Sequence, residues 1–154
     1  MHAPPGYECP LCRLLRGVDT ERNRRSDIVW QDAHTTAFIS PKWWPGNRGH
    51  VIVIPNAHVE NVHEIDTVLL GEVYATAKRI ADALKEAYAC TGTSMRQHNE
   101  PDGNQDVWHL HVHVFPRYAD DHLYERHAES YWPPPAERAK YAERLRRASI
   151  LRPG

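Results

Sequence analysis

The stretch that decides the fold is His109-Leu-His-Val-His-Val-Phe115, in which histidine alternates with apolar residues. Successive side chains of a β-strand point to opposite faces of its sheet, so a strand places these three histidines on one face. Imidazoles two residues apart lie roughly 6.5–7 Å from each other along such a strand, near enough to share one ligand. The pattern therefore predicts a strand with one face in the core and one face available for chemistry.

Two other interpretations of the alternating histidines stay open on the residues alone. One is a solvent-facing strand that carries histidine without a function, although three in strict alternation beside a buried apolar set would be an improbable accident. The other is a metal site, because alternating histidines on a strand can chelate zinc.

The segments around this strand predict an α+β domain. Apolar residues spaced every three to four predict a main helix over 66–90, with Gly92 as the terminating residue, and Pro10 begins a short N-terminal helix that Gly17 ends. Strands are expected at 28–31, 35–39, 51–55, 94–98 and 107–115, the last one stopped by Pro116. Together these elements predict an antiparallel sheet of about five strands with the main helix on one face.

Composition predicts one soluble domain that binds a small molecule. The chain has 154 residues, 41% of them hydrophobic, and its 19 basic residues are balanced by 20 acidic ones. It lacks a positive field for nucleic acid, an apolar run of the roughly 20 residues that span a bilayer and the pattern of a signal peptide. We therefore expect a cytoplasmic protein with no nucleic-acid or membrane partner.

Three cysteines are present, and two form the sequence Cys9-Pro-Leu-Cys12. In a reducing compartment this spacing favours a metal site over a disulfide, and Cys90 is expected to be a packed thiol. A CxxC pair that opens a helix can also be two ordinary packed cysteines, so the pair alone is a weak signal.

Two further segments are less informative. The loop 41–49 is rich in proline, glycine and tryptophan and is expected near a ligand, and its Trp43 and Trp44 either stack on a base or, as we favour, pack locally. After Pro133-Pro-Pro135, residues 136–149 predict a solvated helix with few residues to bury.

The stretch Gln105-Asp-Val-Trp-His-Leu-His-Val-His-Val-Phe-Pro-Arg117 resembles the motif of the histidine triad (HIT) family, in which a Gln stands four residues before the first His. Gly49-His-Val-Ile-Val-Ile-Pro55 followed by His58 is similar to the family's upstream strand, and Cys9-x-x-Cys12 to the CxxC of its zinc-containing bacterial members. The resemblance covers residues 9–118. It implies a HIT domain at 1–118, with 119–154 as a C-terminal extension packed on the same domain, and a homodimer.

The resemblance also implies catalytic roles. The middle histidine, His111, would be the nucleophile that attacks the α-phosphorus of a nucleotide, and His113 would bind the phosphate oxygens. A neutral His111 requires an acceptor for its other ring nitrogen, which the family takes from a backbone carbonyl.

For substrate binding, Gln105 and Asn99 match the family's phosphate-contacting Gln and Asn, with His98 as an alternative to Asn99. Ser40 stands where the family often has Asp or Asn for the ribose hydroxyls. Asp106 stands where many members carry a small hydroxyl residue, so it either points away from the phosphate or accepts a leaving-group proton.

For the metal, the resemblance selects His58 and His109 to complete a set with Cys9 and Cys12. Two thiolates and two imidazoles make a closed tetrahedral zinc site, which is structural because it leaves no position for water.

The sequence thus predicts an enzyme, a nucleotidyl hydrolase or transferase that acts on a purine phosphoramidate, adenylate or dinucleoside polyphosphate through a nucleotidyl-histidine. The alternative is a regulatory nucleotide-binding module with little turnover. A structural zinc module is a weaker possibility, because it leaves Gln105 and His113 without a role.

Overall fold

The structure is a computed structural model that describes residues 1–154. In chain order its helices and strands are α1 (Pro10–Leu15), β1 (Ile28–Gln31), β2 (Thr35–Ile39), β3 (Val51–Pro55), α2 (Thr67–Tyr88), β4 (Gly92–Gln97), β5 (Val112–Arg117) and α3 (Pro135–Arg146). The five strands form one antiparallel sheet in the order β1-β2-β3-β5-β4. The predicted α+β class, the five-stranded sheet, the main helix and the short N-terminal helix are confirmed.

The neighbouring strands β2 and β3 are buried on both faces, which explains the continuous apolar sequence of β3, the central strand of the sheet. Ala37, Val51 and Val53 join the main core beneath α2, whereas Phe38 and Ile52 join a smaller cluster with α1. Side chains alternate between the two layers because the period of a strand is two residues. The sheet therefore separates a helix-covered face from the face that carries α1.

Helix α2 forms because its apolar residues recur on one side and because its first turn is capped. The Asp66 carboxylate accepts hydrogen bonds from the backbone N–H groups of Val68 and Leu69. The helix ends at Ala89, whose φ of 53° is left-handed, and the predicted terminator Gly92 instead begins β4. That expectation was wrong because Ala89 itself adopts the conformation that ends a helix. None of the three helices combines the length and the hydrophobicity that a membrane crossing requires.

Strand β5 begins later and ends later than predicted, at Val112 and Arg117 rather than 107 and 115. The segment before it departs from the ladder, because the N–H of Leu110 donates to the carbonyl of Val59 outside the sheet. Pro116 lies inside the strand. The carbonyl of Pro116 accepts a hydrogen bond from the side chain of Asn47 instead of from β4. Proline is tolerated here because this position does not need a backbone N–H for pairing with β4.

The C-terminal segment packs closely on the sheet, contrary to the expectation of a solvated helix. Ala142 and Leu145 of α3 belong to the main core. The guanidinium of Arg138 forms two hydrogen bonds with the carboxylate of Asp27, at 3.1 and 3.2 Å, and both side chains are buried. The prediction missed this anchoring because the residue that is buried is an arginine, a type that is almost never buried without a partner.

Candidate active site and metal centre

A cavity of about 650 Å³ lies on the face of the sheet that carries α1. This volume is typical of small-molecule sites. The catalytic candidates His111 and His113 line it, together with residues of α1, β2, β3, β4 and the C-terminal segment. On the opposite face, Leu110, Val112 and Val114 are fully buried in the main core. Leu110, Val112 and Val114 therefore face the core, whereas His111 and His113 meet the cavity.

His111 is held in a defined tautomer. Its Nδ1 lies 2.8 Å from the backbone carbonyl oxygen of His109, so Nδ1 carries the proton that it donates there. The other nitrogen, Nε2, then keeps its lone pair. Burial lowers the pKa of His111, and the hydrogen bond to the carbonyl only partly opposes this, so the ring is neutral at pH 7. A neutral imidazole with a free nitrogen in a cavity is suited to nucleophilic attack.

His113 is oriented by a residue that the sequence analysis did not select, His50. His50 Nε2 lies 3.2 Å from His113 Nδ1, and the buried Nδ1 of His50 has no hydrogen-bond partner. A buried N–H without an acceptor is rarer than a buried lone pair, so we assign the proton to His50 Nε2, which donates to His113. His113 is then left with a proton on Nε2, a hydrogen-bond donor suited to a phosphate oxygen.

Burial also keeps this pair neutral. It lowers the pKa of His50 to about 3 and that of His113 well below its usual range. One signal in the sequence could have identified His50. It comes directly before the fully apolar strand β3, so burial of that strand favours burial of His50 as well.

A row of side chains crosses the sheet at the cavity. Strand register places Phe38 beside Ile52, Ile52 beside His113, and His113 beside Arg96. All four residues line the cavity. Two apolar residues therefore lie on one side of the catalytic candidate His113, and a cation lies on the other. Arg96 could not be recognised from the sequence, because a single arginine in a short polar strand forms no pattern.

The cavity has a strongly cationic wall. Arg22, Lys42 and Arg96 line it, and Asp106 is its one carboxylate residue. Asp106 is largely exposed, and its Oδ1 lies 3.8 Å from His111 Nε2. A cationic concave surface attracts and retains anions, so the cavity favours an anionic small molecule.

Besides His113, three residues were predicted to bind the substrate, and the structure places them differently from one another. Ser40 lines the cavity, but its hydroxyl donates to the carbonyl of Lys42. Gln105 is buried outside the cavity wall and donates to the carbonyls of Glu60 and Val107. Through these hydrogen bonds, Gln105 stabilises the loop that precedes the histidines.

Asn99 also lies outside the cavity wall, where its side-chain oxygen accepts a hydrogen bond from the N–H of Val62. The neighbouring residues that do reach the cavity are His98 and Asn104. Asn104 adopts a left-handed φ of 64°, which turns the chain at this point.

The C-terminal segment covers part of the cavity. Leu123, Tyr124, His127 and Trp132 all line it. The indole of Trp132 stacks under the guanidinium of Arg22, at 3.8 Å from the ring centroid. The two tryptophans of the loop 41–49 lie in different environments. Trp43 is fully buried in the core, whereas Trp44 lines the cavity beside His50.

A second group of side chains forms a metal site next to the nucleophile candidate. One ligand atom from each of Cys9, Cys12, His58 and His109 lies within 4.8 Å of the other three. Cys12 Sγ is 3.2 Å from His58 Nδ1, and Cys9 Sγ is 3.4 Å from His109 Nδ1. The sequence prediction that these four residues form one group able to hold a metal is confirmed.

The donor set and its spacing fit zinc. Bonds of about 2.3 Å to sulfur and about 2.0 Å to nitrogen put the two atoms about 3.5 Å apart on a tetrahedral edge. His109 Nε2 lies 2.9 Å from the carbonyl oxygen of Pro55 and donates to it, which leaves Nδ1 free to face the cysteines. Burial lowers the pKa of His109 to about 4, so its ring is neutral, as a ligand must be. Four protein ligands make a closed, structural site.

The sequence model of the HIT domain matches residues 21–120 of the chain. Protein hit of Bacillus subtilis is 29% identical over 129 residues, which cover 81% of this chain and 84% of that protein. A Hit-like protein from Bartonella henselae, described as involved in cell-cycle regulation, superposes with a TM-score of 0.75 at 27% identity and covers 93% of this chain and 99% of its own.

A Zn-bound histidine triad family protein from Mycobacterium smegmatis shares the fold, with a TM-score of 0.75 at 24% identity over 94% of this chain and 93% of its own. The family model spans all five strands of the sheet, the main helix and the alternating histidines. The chain therefore belongs to the HIT domain family.

Proposed function

We propose that the protein is a nucleotidyl hydrolase or transferase in which His111 attacks the α-phosphorus of a nucleotide derivative. The observation that carries the proposal is the hydrogen bond from His111 Nδ1 to the carbonyl of His109, because it leaves Nε2 deprotonated at the cavity. Every neutral imidazole keeps one lone pair, and this hydrogen bond leaves that of His111 on the nitrogen that a nucleophile in the cavity would use.

The reaction has two displacements. In the first, the lone pair of His111 Nε2 forms a P–N bond, and the bond from phosphorus to the leaving group breaks, with its electron pair departing on that group. In the second, water or another acceptor attacks phosphorus and loses its proton to solvent, the P–N bond breaks, and its electron pair returns to Nε2. His113 Nε2–H and the cationic wall stabilise the charge that develops on the phosphoryl oxygens.

The apolar part of the cavity suits the base. Leu11, Phe38, Ile52 and Val107 provide this surface on the β3 side of the histidines. Ser40 lies near it and is the candidate contact for the ribose. In this arrangement Asn99 and Gln105 hold the loop before the histidines in place, and contact with the phosphate would require their amides to exchange partners.

Zinc at the four-residue site would supply structural rather than reactive chemistry, by holding the N-terminal segment against the loop that bears His109. We also propose that residues 119–154 are an extension of the HIT domain rather than a separate unit. A homodimer is the expected assembly, and light scattering after gel filtration measures it.

The test is to incubate the protein with a panel of adenosine phosphoramidates, adenylates and dinucleoside polyphosphates and to measure release of nucleoside monophosphate. Rapid quenching with a labelled substrate should trap an acid-labile P–N adduct on His111. Tight nucleotide binding without release of monophosphate from any member of the panel would instead identify a regulatory binding module.

A further inference from the structure

Arg96 is a half-buried cation without an anionic partner. Its guanidinium forms no salt bridge, although Asp106 acts on it as a more distant opposite charge, and its Nε is buried with no hydrogen-bond acceptor. The group lies beside two aromatic rings, 5.3 Å from the ring centroid of Trp44 and 5.1 Å from that of Phe115. Burial lowers its pKa, although an arginine stays charged at pH 7.

A half-buried charge without an ion-pair partner is destabilising unless something compensates for the water that it has lost. The aromatic contacts compensate only in part, since a cation–π pair leaves the N–H donors unused. Elsewhere in the chain, the buried guanidinium of Arg138 has a carboxylate partner in Asp27. Arg96 is therefore suited to bind an anionic group of a ligand in the cavity.

The position of Arg96 says which part of a substrate it meets. Strand register places it directly beside His113 on the β4 side, whereas Ile52 lies beside His113 on the β3 side. The base occupies the apolar β3 side in the proposed function, and the α-phosphate lies at the two histidines. The group on the far side of the α-phosphorus, the leaving group, then lies towards Arg96.

We propose that Arg96 is a specificity-determining residue that selects leaving groups bearing a negative charge, such as a phosphate joined to the α-phosphorus through oxygen, over uncharged amines. This inference rests on the proposed function for the position of the α-phosphate. When the P–O bond breaks, its electron pair remains on the departing oxygen, and the guanidinium stabilises that charge. An amine leaving group gains nothing from a neighbouring cation, because it has to depart with a proton.

The experiment compares two substrates that share the adenosine and the α-phosphorus, diadenosine triphosphate and an adenosine phosphoramidate of an uncharged amine. In Arg96→Met, kcat/KM for the triphosphate should fall about 10- to 100-fold more than that for the phosphoramidate, as expected for loss of a charged hydrogen bond. Arg96→Lys should recover part of the difference.

The matched control is Arg79→Met, because Arg79 is also half-buried and stacks on a tryptophan, Trp30, at 4.3 Å, but lies outside the cavity. Arg79→Met should leave the ratio of kcat/KM for the triphosphate to kcat/KM for the phosphoramidate unchanged. Equal losses for both substrates in Arg96→Met, with Arg96→Lys no better, would overturn the proposal and leave the proposed function intact.

A binding measurement keeps the two claims separate if no substrate is turned over. By calorimetry, wild-type protein should bind ADP more tightly than AMP, and Arg96→Met should reduce that ratio about tenfold or more. An unchanged ratio would reject the role of Arg96. A reduced ratio in a protein without turnover would retain anion selection by Arg96 and reject the proposed catalysis.

Discussion

The backbone carbonyl of His109 accepts the hydrogen bond from His111 Nδ1 at 2.8 Å, while the ring of His109 belongs to the four-residue metal site. One residue therefore connects the metal site to the nucleophile candidate. The ring of His109 is held from two directions, by the cysteines at Nδ1 and by the Pro55 carbonyl at Nε2. Its carbonyl is consequently fixed where it selects the reactive tautomer of His111.

Replacing the proposed nucleophile should remove turnover without removing the site. We expect His111→Asn to lower kcat by a factor on the order of 10³ or more, because the P–N intermediate can no longer form. Nucleotide affinity should change little, since His113 and the cationic wall remain. The exposed His34 offers a matched control, and His34→Asn should retain full activity. A His111→Asn variant with near-normal kcat would exclude the covalent mechanism.

Activity should persist in mildly acidic solution. Burial lowers the pKa of His111, so its ring remains neutral as the pH falls through 6.5, where an exposed histidine becomes protonated. The acid limb of a plot of kcat/KM against pH should therefore lie below pH 6.5 with diadenosine triphosphate as substrate. A limb centred at or above pH 6.5 would show that the nucleophile is not shielded in this way.

The metal site should be structural. Untagged protein should contain about one zinc per chain, and Cys9→Ser should lose metal and melt about 5 °C lower or more, because zinc affinity is partly folding free energy. Cys90 is a buried cysteine outside the metal group, so Cys90→Ser should keep its zinc. Metal analysis and thermal melts test both variants. Chelation that abolishes activity without loss of fold would instead indicate an open, catalytic metal site.

Buried neutral histidines should make the fold sensitive to acid. His50 has a pKa of about 3 when folded and an ordinary value of 6.5, so between these values the unfolded chain binds more protons and folding becomes less favourable as pH falls. This residue should contribute a slope of about 1.4 kcal/mol per pH unit in that window.

His50→Gln tests this prediction by removing the titrating group while keeping a hydrogen-bond donor. Urea unfolding of the zinc-saturated protein between pH 6 and pH 4.5 should show a shallower pH dependence for the variant. Parallel curves for the two proteins would mean that His50 is not held neutral in the folded state.

The contact between Arg138 and Asp27 should anchor the C-terminal segment. Arg138→Met leaves a buried carboxylate without its partner and should lower the free energy of unfolding by about 3–5 kcal/mol. Arg147 pairs with Glu143 on the surface, so Arg147→Met should change it by about 1 kcal/mol or less. Denaturant titrations measure both, and equal effects would contradict an anchoring role for the buried pair.

Prediction from sequence succeeded where the periodicity of side chains reports burial directly. The apolar strand β3 and the stripe on α2 each carry a local pattern, and each lies on the predicted kind of element. Of the three alternating histidines, only His113 lies in β5, whereas His109 and His111 lie in the irregular segment before it. Boundaries were less accurate, since the end of α2 at Ala89 and the start of β5 at Val112 depend on hydrogen bonds that no periodicity encodes.

By itself, the sequence determined the α+β class, the division of residues 109–115 into a core face and a chemical face, and, through family resemblance, the four metal ligands. Only the tertiary structure decided that His50 orients His113, that Asn99 and Gln105 tie a loop, and that Arg96 faces the cavity without a partner. The reason is physical: alternation along one strand is a local property of the chain. The partner of a buried polar group, by contrast, comes from whichever distant segment the fold places beside it.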